Sequence, residues 1–455
     1  MTTSDLDVAT LEPATAEDAQ RRVAGALAAA GLRPGDRVAF CLPSSASLLV
    51  CVLGALRRGI VPVLLNATLL PAERDVLLAD AEPSFSVFDD AGLAALLGGQ
   101  RAELAPYPLA RPMHYTSGTT GRAKGVWSGV LDEDDAQRLF EDEADLWQFD
   151  ASDTHLVCSP MHHSVSIRFA AGTLLRGGRL VILSRFEAAA AAAAVRRFRP
   201  TTAFLAPTAL QRLLQHDPAP EMWNSFRLIV HAGSPCPPAL KWSVLERARP
   251  GALWEFYGST EGQFTACGPD EWVERPGTVG RARPGRHLRT EVDGTVWCSC
   301  PSFARFRYWH DDDATARAWR GDEFTVGDLG RLDGAGYLFL DGRRDDLVIT
   351  GGVNVYPAEV EAVLADAPGV LEAAVFGLPD ETWGERVCAA VVGPVDETAL
   401  RHHVAARLAP YKRPKTYFRV DELPRTATGK LRRRALPACL GVDPPPDGPG
   451  PSSEQ

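Results

Sequence analysis

Tyr115-Thr116-Ser117-Gly118-Thr119-Thr120-Gly121-Arg122-Ala123-Lys124-Gly125-Val126 is the stretch on which the reading of this chain turns. It is small, hydroxyl-rich and glycine-rich, and it closes on a lysine set between small residues. Glycine lets the backbone turn and approach a ligand closely. Backbone N–H groups, Ser and Thr hydroxyls and the lysine ammonium can then converge on phosphate oxygens. Two other phosphate loops are excluded by residue order. The Gly-x4-Gly-Lys-Ser/Thr pattern needs glycine five residues after Gly118, where Ala123 stands, and G-x-G-x-x-G is absent from the stretch. Runs of this composition are most often plain surface loops. Four stretches downstream lift this one out of that class.

Around the loop, short apolar strands alternate with helices. Asp18 to Gly31 reads as a helix, on the spacing of Val23 and Leu27 and a terminating glycine. Asp36 to Leu42 reads as a strand, Ala46 to Arg57 as a buried helix and Ile60 to Leu65 as a strand. The rhythm returns after the loop, with strands at Leu180 to Leu183, Thr201 to Leu205 and Leu228 to Val230. Helices fall between them at Glu187 to Phe198 and Pro207 to Gln215. Such alternation predicts parallel sheet and an α/β fold. From about Gly280 the pattern shifts to shorter strands and turns. The charged break Asp341-Gly342-Arg343-Arg344-Asp345-Asp346 predicts a boundary between a large domain, 17–343, and a small α+β domain, 344–440. The small domain is expected to hold a helix from Pro357, strands at Ala373 to Phe376 and Val387 to Val392, a helix at Glu397 to Leu408 and a strand near Tyr417. Residues 1–16 and the Pro/Gly/Ser-rich tail 441–455 are expected to be disordered.

Composition narrows the class. A chain of 455 residues exceeds the size at which a single core keeps growing. Hydrophobic residues at 45% and charged residues at 23% are ordinary for a globular enzyme. A net charge of −10 argues against nucleic acid as the main partner. The nine cysteines are odd in number and scattered, and Cys298-Ser-Cys300 has neither CxxC nor zinc-site spacing. Neither a disulfide framework nor a structural metal is expected, only the reduced thiols of a cytoplasmic protein. The polar, acidic N-terminus does not read as a signal peptide. The apolar run Leu48 to Leu56 is cut by Arg57 and Arg58, short of a membrane span.

Four further stretches carry chemistry. In Glu255-Phe256-Tyr257-Gly258-Ser259-Thr260-Glu261-Gly262, an aromatic beside glycine can stack on a planar base, and Thr-Glu offers oxygen ligands to a phosphate-bound Mg2+. In Gly327-Asp328-Leu329-Gly330, the aspartate can accept both hydroxyls of a ribose, although Asp-Gly pairs commonly mark turns. Gly342 to Glu361 centres on Gly351-Gly352-Val353-Asn354-Val355-Tyr356-Pro357. Pro424-Arg425-Thr426-Ala427-Thr428-Gly429-Lys430 ends on a lysine that composition alone would leave solvated.

In this order the five stretches resemble the adenylate-forming superfamily of acyl- and aryl-CoA synthetases, luciferases and nonribosomal peptide adenylation domains. The resemblance runs from about Arg33 to Leu436 and is greatest to bacterial acid–CoA ligases. It implies a layered αβαβα large domain of mixed, mostly parallel sheets and a small mobile α+β C-terminal domain. It implies that Thr116, Ser117, Gly118, Thr119, Thr120, Gly121 and Lys124 hold the ATP phosphates. Gly233, Ser234, Phe256, Tyr257 and Gly258 would border adenine and substrate. Thr260 and Glu261 would serve the α-phosphate and Mg2+, and Asp328 and Arg343 the ribose. His163, in Ser159-Pro160-Met161-His162-His163-Ser164, matches the family histidine at the acid pocket, while His162 reads as structural. Lys430 would bridge acid and phosphate during adenylation. Asp345 would be the hinge about which the small domain swings, and Gly351 and Gly352 would then line the tunnel for the CoA thiol. ATP, Mg2+ and CoA are the implied cofactors.

The chain departs from that pattern in two places. The N-terminal lead-in is short, which leaves a sheet edge or pocket wall missing or supplied by a second subunit of a homodimer. The acid-pocket segment carries Arg168 four residues after Ser164, and His231 adds a polar group at the expected pocket floor. A guanidinium is unexpected for a plain fatty acid. It would face solvent, pair with a carboxylate or meet the substrate, so the acid is expected to be small or polar, aromatic acids included. The shared motifs report AMP transfer and leave the acceptor open. CoA is the first reading. An amine giving an amide, a carrier-protein thiol, or an aryl amine receiving activated nitrite in a diazotase are the alternatives. A non-catalytic binding module is a third class, opposed by the presence of Lys430, Glu261 and Asp328.

Overall fold

The computed structural model describes residues 8–116, 123–343, 346–350, 353–380, 383–426 and 431–442. The chain forms two compact units. The first runs through Leu288 and includes Cys298–Val326 and Gly334–Leu338. The second takes Arg289–Trp297, Gly327–Asp333 and the chain from Phe339 onward.

A six-stranded sheet organises the first unit, in the spatial order Val8–Leu11, Arg179–Leu183, Thr154–Val157, Thr202–Phe204, Leu228–His231, Leu253–Glu255. The last five strands are mutually parallel. Leu228-Ile229-Val230-His231 is buried at every position, as a strand covered on both faces must be. A smaller parallel sheet holds Val61–Leu64, Arg37–Phe40 and Phe85–Val87. Between the two sheets lies the helix Ala46–Leu56. Every residue from Leu48 to Leu56 is buried, and a helix apolar all round has to be enclosed. Ser45 caps it by accepting the Leu48 N–H at 3.1 Å. One continuous core joins this helix to Val38 and Phe40 of the small sheet and to Val157, Leu180 and Ile182 of the large one. Gly54 lets the helix Pro13–Ala29 cross closely, since a Cβ there would lie 2.9 Å from the Gln20 carbonyl oxygen. The layered, mixed α/β architecture agrees with the expectation.

The N-terminal segment differs from it. Residues to 16 were expected to be disordered, yet Val8–Leu11 is a strand paired antiparallel with Arg179–Leu183, Val8 opposite Leu183 and Leu11 opposite Leu180. The helix begins at Pro13, not Asp18, with proline at its first position, where no N–H is needed. Four residues are too few for a readable alternation; the partner strand, far away in sequence, supplies the order. The chain itself therefore supplies the outermost strand at this edge of the large sheet.

The second unit's sheet contains Val353–Val355, Val348–Thr350, Gly384–Val392 and Glu372–Asp380, with Thr416–Arg419 parallel to Gly384–Val392. Period-two alternation gives each face its own core. Val387, Ala389 and Val391 pack with Val360 and Leu364 of the helix Pro357–Ala365 and with Leu400 and Val404 of Glu397–Ala405. Cys388 and Ala390 turn the other way, to Phe376, Leu423 and Leu436. No helix among the described residues is long and apolar enough to cross a membrane.

Candidate active site

Parallel sheets open a crevice beyond the carboxyl ends of their strands. The chain leaves Thr154–Val157 into Met161-His162-His163, leaves Leu228–His231 into Gly233-Ser234, and leaves Leu253–Glu255 into Phe256 to Glu261. The topology thus gathers at one edge residues that are a hundred positions apart. Gly233 has φ +91°, a conformation other residues adopt only with strain.

The glycine-rich loop is anchored by its flanks. His114–Thr116 pairs antiparallel with Lys124–Trp127, and Thr116 lies directly opposite Lys124. The loop ends are therefore about 5 Å apart. Ser117, Gly118, Thr119, Thr120 and Gly121 lie outside the described residues. A third strand, Arg307–Tyr308, pairs with Lys124–Trp127. This places the Lys124 Nζ 5.0 Å over the Tyr308 ring, while the Tyr308 hydroxyl donates to Glu261 Oε1 at 2.9 Å. The loop lysine and the Glu261 carboxylate are thus joined through one tyrosine.

Glu261 stands at the tip of a tight turn. Ser259 N–H donates to the Gly262 carbonyl at 2.8 Å, and Phe264 N–H to the Tyr257 carbonyl at 2.9 Å. Arg111 braces the turn from behind, its Nη2 donating to the Thr260 and Glu261 carbonyls at 3.4 and 3.3 Å. Burial, and then the like charge of Arg168, pulls Arg111 down to about 10. A buried carboxylate beside a hydroxyl is a hard-oxygen donor set that fits Mg2+, which is usually held by one or two carboxylates plus substrate phosphates.

Three imidazoles collect at the start of the helix Ser164–Leu175. The His162 and His163 rings are 4.5 Å apart, and His163 is the helix N-cap residue. Burial pushes His163 down to about 3 and His162 to about 4. Burial, then His163, pushes His114 down to about 3. All three are neutral near pH 7.

His231 does not share a site with Arg168. It sits opposite Glu255 in the parallel register and 3.9 Å from that carboxylate, which also holds the buried Lys241. Successive strand residues face opposite ways. Ile229 and Leu253 pack in the core on the His231 side, whereas Val230 and Phe256 pack on the other. Arg168 lies over Phe256, 5.6 Å from its centroid. The expectation that both line one pocket fails because the strand separates them by face.

Around Arg168 lies a charge cluster that sequence reasoning missed. Arg283 meets Asp142 at 3.0 Å and Glu143 at 3.3 Å, and Arg286 grips Asp142 through both oxygens at 2.9 and 2.8 Å. Glu143 Oε1 accepts from Trp147 Nε1 at 2.8 Å. Burial raises the Glu143 carboxyl, but Arg168 and Arg283 outweigh it and hold the group below its usual range. The helix Glu133–Trp147 was passed over in the sequence, although Ala136, Phe140, Ala144 and Trp147 form one face at helical spacing after the N-cap Asp132 and could have signalled it. Its partners, some 140 residues on, carry no such signal.

In the second unit, Asp328 and Arg343 form an ion pair, Oδ1 to Nε 2.9 Å. Gly351 and Gly352 connect the paired strands Val348–Thr350 and Val353–Val355, and Arg425 opposite Leu431 closes the base of the segment ending at Lys430. Asp345, Gly351, Gly352 and Lys430 themselves lie outside the described residues.

Residues 14–107 and 112–293 match the family described as AMP-binding enzyme, and 359–430 match the AMP-binding enzyme C-terminal domain. A 2-succinylbenzoate–CoA ligase of Bacillus licheniformis is 30% identical over 454 residues, spanning 91% of this chain and 92% of that protein. The structure of o-succinylbenzoate CoA synthetase from Bacillus subtilis, in complex with the acyl-adenylate intermediate, superposes with a TM-score of 0.81 at 29% identity, covering 93% of this chain and 92% of that one. The amide bond synthetase McbA from Marinactinospora thermotolerans also superposes at 0.81, with 27% identity and 94% of each chain covered.

Proposed function

Because the chain belongs to the AMP-binding enzyme family, we propose that it activates a small or polar carboxylic acid with ATP and passes the acyl group to CoA. The observation that carries this reading is the convergence of Lys124, Tyr308 and Glu261 at the carboxyl ends of the parallel strands. A carboxylate is a poor electrophile. Its attack on the α-phosphorus of ATP yields acyl-adenylate and pyrophosphate, and a thiolate then displaces AMP. Bound Mg2+ supplies charge neutralisation to the phosphates. The chain's own part is to hold and orient. Thr116 and Lys124 set the ends of the phosphate loop, Thr260 and Glu261 offer oxygen ligands, and neutral His163 borders the acid without adding charge. Gly233, Ser234 and Tyr257 flank adenine, and Asp328 with Arg343 takes the ribose. Lys430 brings a positive charge to the step in which two anions meet. Rotation of the small domain at Asp345 then exchanges Lys430 for the Gly351-Gly352 segment, which admits the thiol.

A second reading keeps adenylation and replaces CoA by an amine. It is favoured by the likeness to an amide bond synthetase, equal in TM-score to that of the CoA synthetase. Pyrophosphate release across a panel of acids tests the shared first step. Mass spectrometry of products, with CoA and amines offered separately, decides the acceptor. Thioester formed at the rate of pyrophosphate release supports the first reading; amide formed without CoA replaces it.

A further inference from the structure

Arg168 belongs to a helix enclosed almost everywhere. From Val165 to Leu174 every residue but Arg168 is buried, and only Ser164, one turn earlier on the same face, shares its exposure at the N-terminal end. The side chain keeps 29% of its accessibility although burial is the largest influence on its charge. The guanidinium lies over the Phe256 ring, 5.6 Å from its centroid, and the face it shares with Ser164 leads toward the N-terminal end of the helix, where His163 sits.

Within the described residues no hydrogen bond reaches the Arg168 guanidinium, and its Nε is buried without a partner. Glu143 Oε2 stands 4.0 Å from Nη1, beyond hydrogen-bond length, and that oxygen already faces Arg283. Asp142 is held by Arg283 and Arg286. Three guanidiniums thus share two carboxylates, and Arg168 is the one left without directed bonds. Desolvating a cation without such bonds is costly.

We propose that Arg168 is the recognition site for a second carboxylate on the acid substrate, so that the enzyme takes a dicarboxylic acid, activating one carboxyl while Arg168 holds the other. This rests on the adenylation reading and deepens it. A substrate carboxylate supplies the negative charge the cluster lacks and accepts the unused N–H groups in a charge-assisted, fork-like pair. Packing of Phe256 against the guanidinium fixes its plane, which favours bidentate recognition over a diffuse attraction.

The test is pyrophosphate release by the full chain with size-matched acids, each dicarboxylate compared with its monoamide and its monomethyl analogue. The expected result is a preference of about tenfold to a hundredfold in kcat/KM for the dicarboxylate. Arg168→Met should erase that preference through KM for the acid, leaving KM for ATP unchanged, and Arg168→Lys should restore part of it. Thermal melting of each variant confirms folding; if Arg168→Met does not fold, Arg168→Gln takes its place. Monoamides or unsubstituted acids as best substrates, or a preference that survives loss of the guanidinium, would overturn the proposal while leaving adenylation standing. Absence of pyrophosphate with every acid would overturn both.

Discussion

Tyr308 was not singled out in the sequence, yet it links Lys124 to Glu261. Tyr308→Phe keeps the ring under the lysine and removes one hydrogen bond to a carboxylate, about 1.5–3 kcal/mol. Pyrophosphate release should fall tenfold or more at limiting Mg2+ and partly recover as Mg2+ is raised. A variant with unchanged Mg2+ dependence would show that the hydroxyl does not position Glu261. Lys430→Ala should abolish adenylation but spare thioester formation from a presynthesised adenylate, because a lysine in a polar, glycine-containing stretch of sequence contributes little to stability. Pyrophosphate exchange near the wild-type rate would remove that role. Motifs made of consecutive residues, such as Phe256 to Glu261, were legible because local turn chemistry is written locally. Arg111, Tyr308 and Arg283 were not, because each acts on a partner distant in sequence and nothing beside it signals the meeting.

At the scale of elements, periodicity found several of the longer strands and helices, passed over others such as Glu133–Trp147 and Ser164–Leu175, and misjudged those whose order is borrowed. The fully apolar helix Ala46–Leu56 declared its burial, whereas the two cores on either face of Gly384–Val392 emerge only in the structure. Val8–Leu11 gave no such signal, since its order comes from Arg179–Leu183. Side-chain facing was the other failure: His231 and Arg168 were assigned to one pocket, and strand alternation parts them. The helix Glu133–Trp147 and the Arg283–Arg286 segment are joined by buried ion pairs, so Arg283→Met should destabilise the first unit by about 3 kcal/mol, mainly through the carboxylates left behind. Urea denaturation reads this directly; a change below ~1 kcal/mol would mean the remaining arginines compensate. Asp345→Pro fixes φ at the position proposed as the hinge. It should spare pyrophosphate release and slow thioester formation strongly, whereas equal loss in both would indicate a structural defect.

The whole molecule carries five histidines held neutral, chiefly by burial. His114, His155 and His163 are pushed to about 3, His162 to about 4, and His231 well below its usual value. The unfolded chain binds protons at these sites from pH 6.5 downward, and the folded chain does not until far lower. Stability is therefore complete above about 6.5 and falls as pH drops toward 4, by on the order of 1 kcal/mol per pH unit for each of the fully buried His114 and His155, with His231 adding to the loss in the same direction. Asp142 and Glu143, depressed below their usual values, add to the loss only at still lower pH. Denaturation midpoints measured from pH 7.5 to 5 should decline throughout the lower half of that range; a flat profile would refute neutral burial. The strand Val8–Leu11 has a consequence of another kind. While it lies along Arg179–Leu183, that row of backbone donors and acceptors is spoken for. Trimming the chain to Pro13 would bare the row and turn it into a template for a neighbouring molecule's strand. Such a trimmed protein would keep its catalytic groups and still drift into high-molecular-weight assemblies, growing with concentration in light scattering, so that colloidal behaviour hangs on four residues remote from the chemistry.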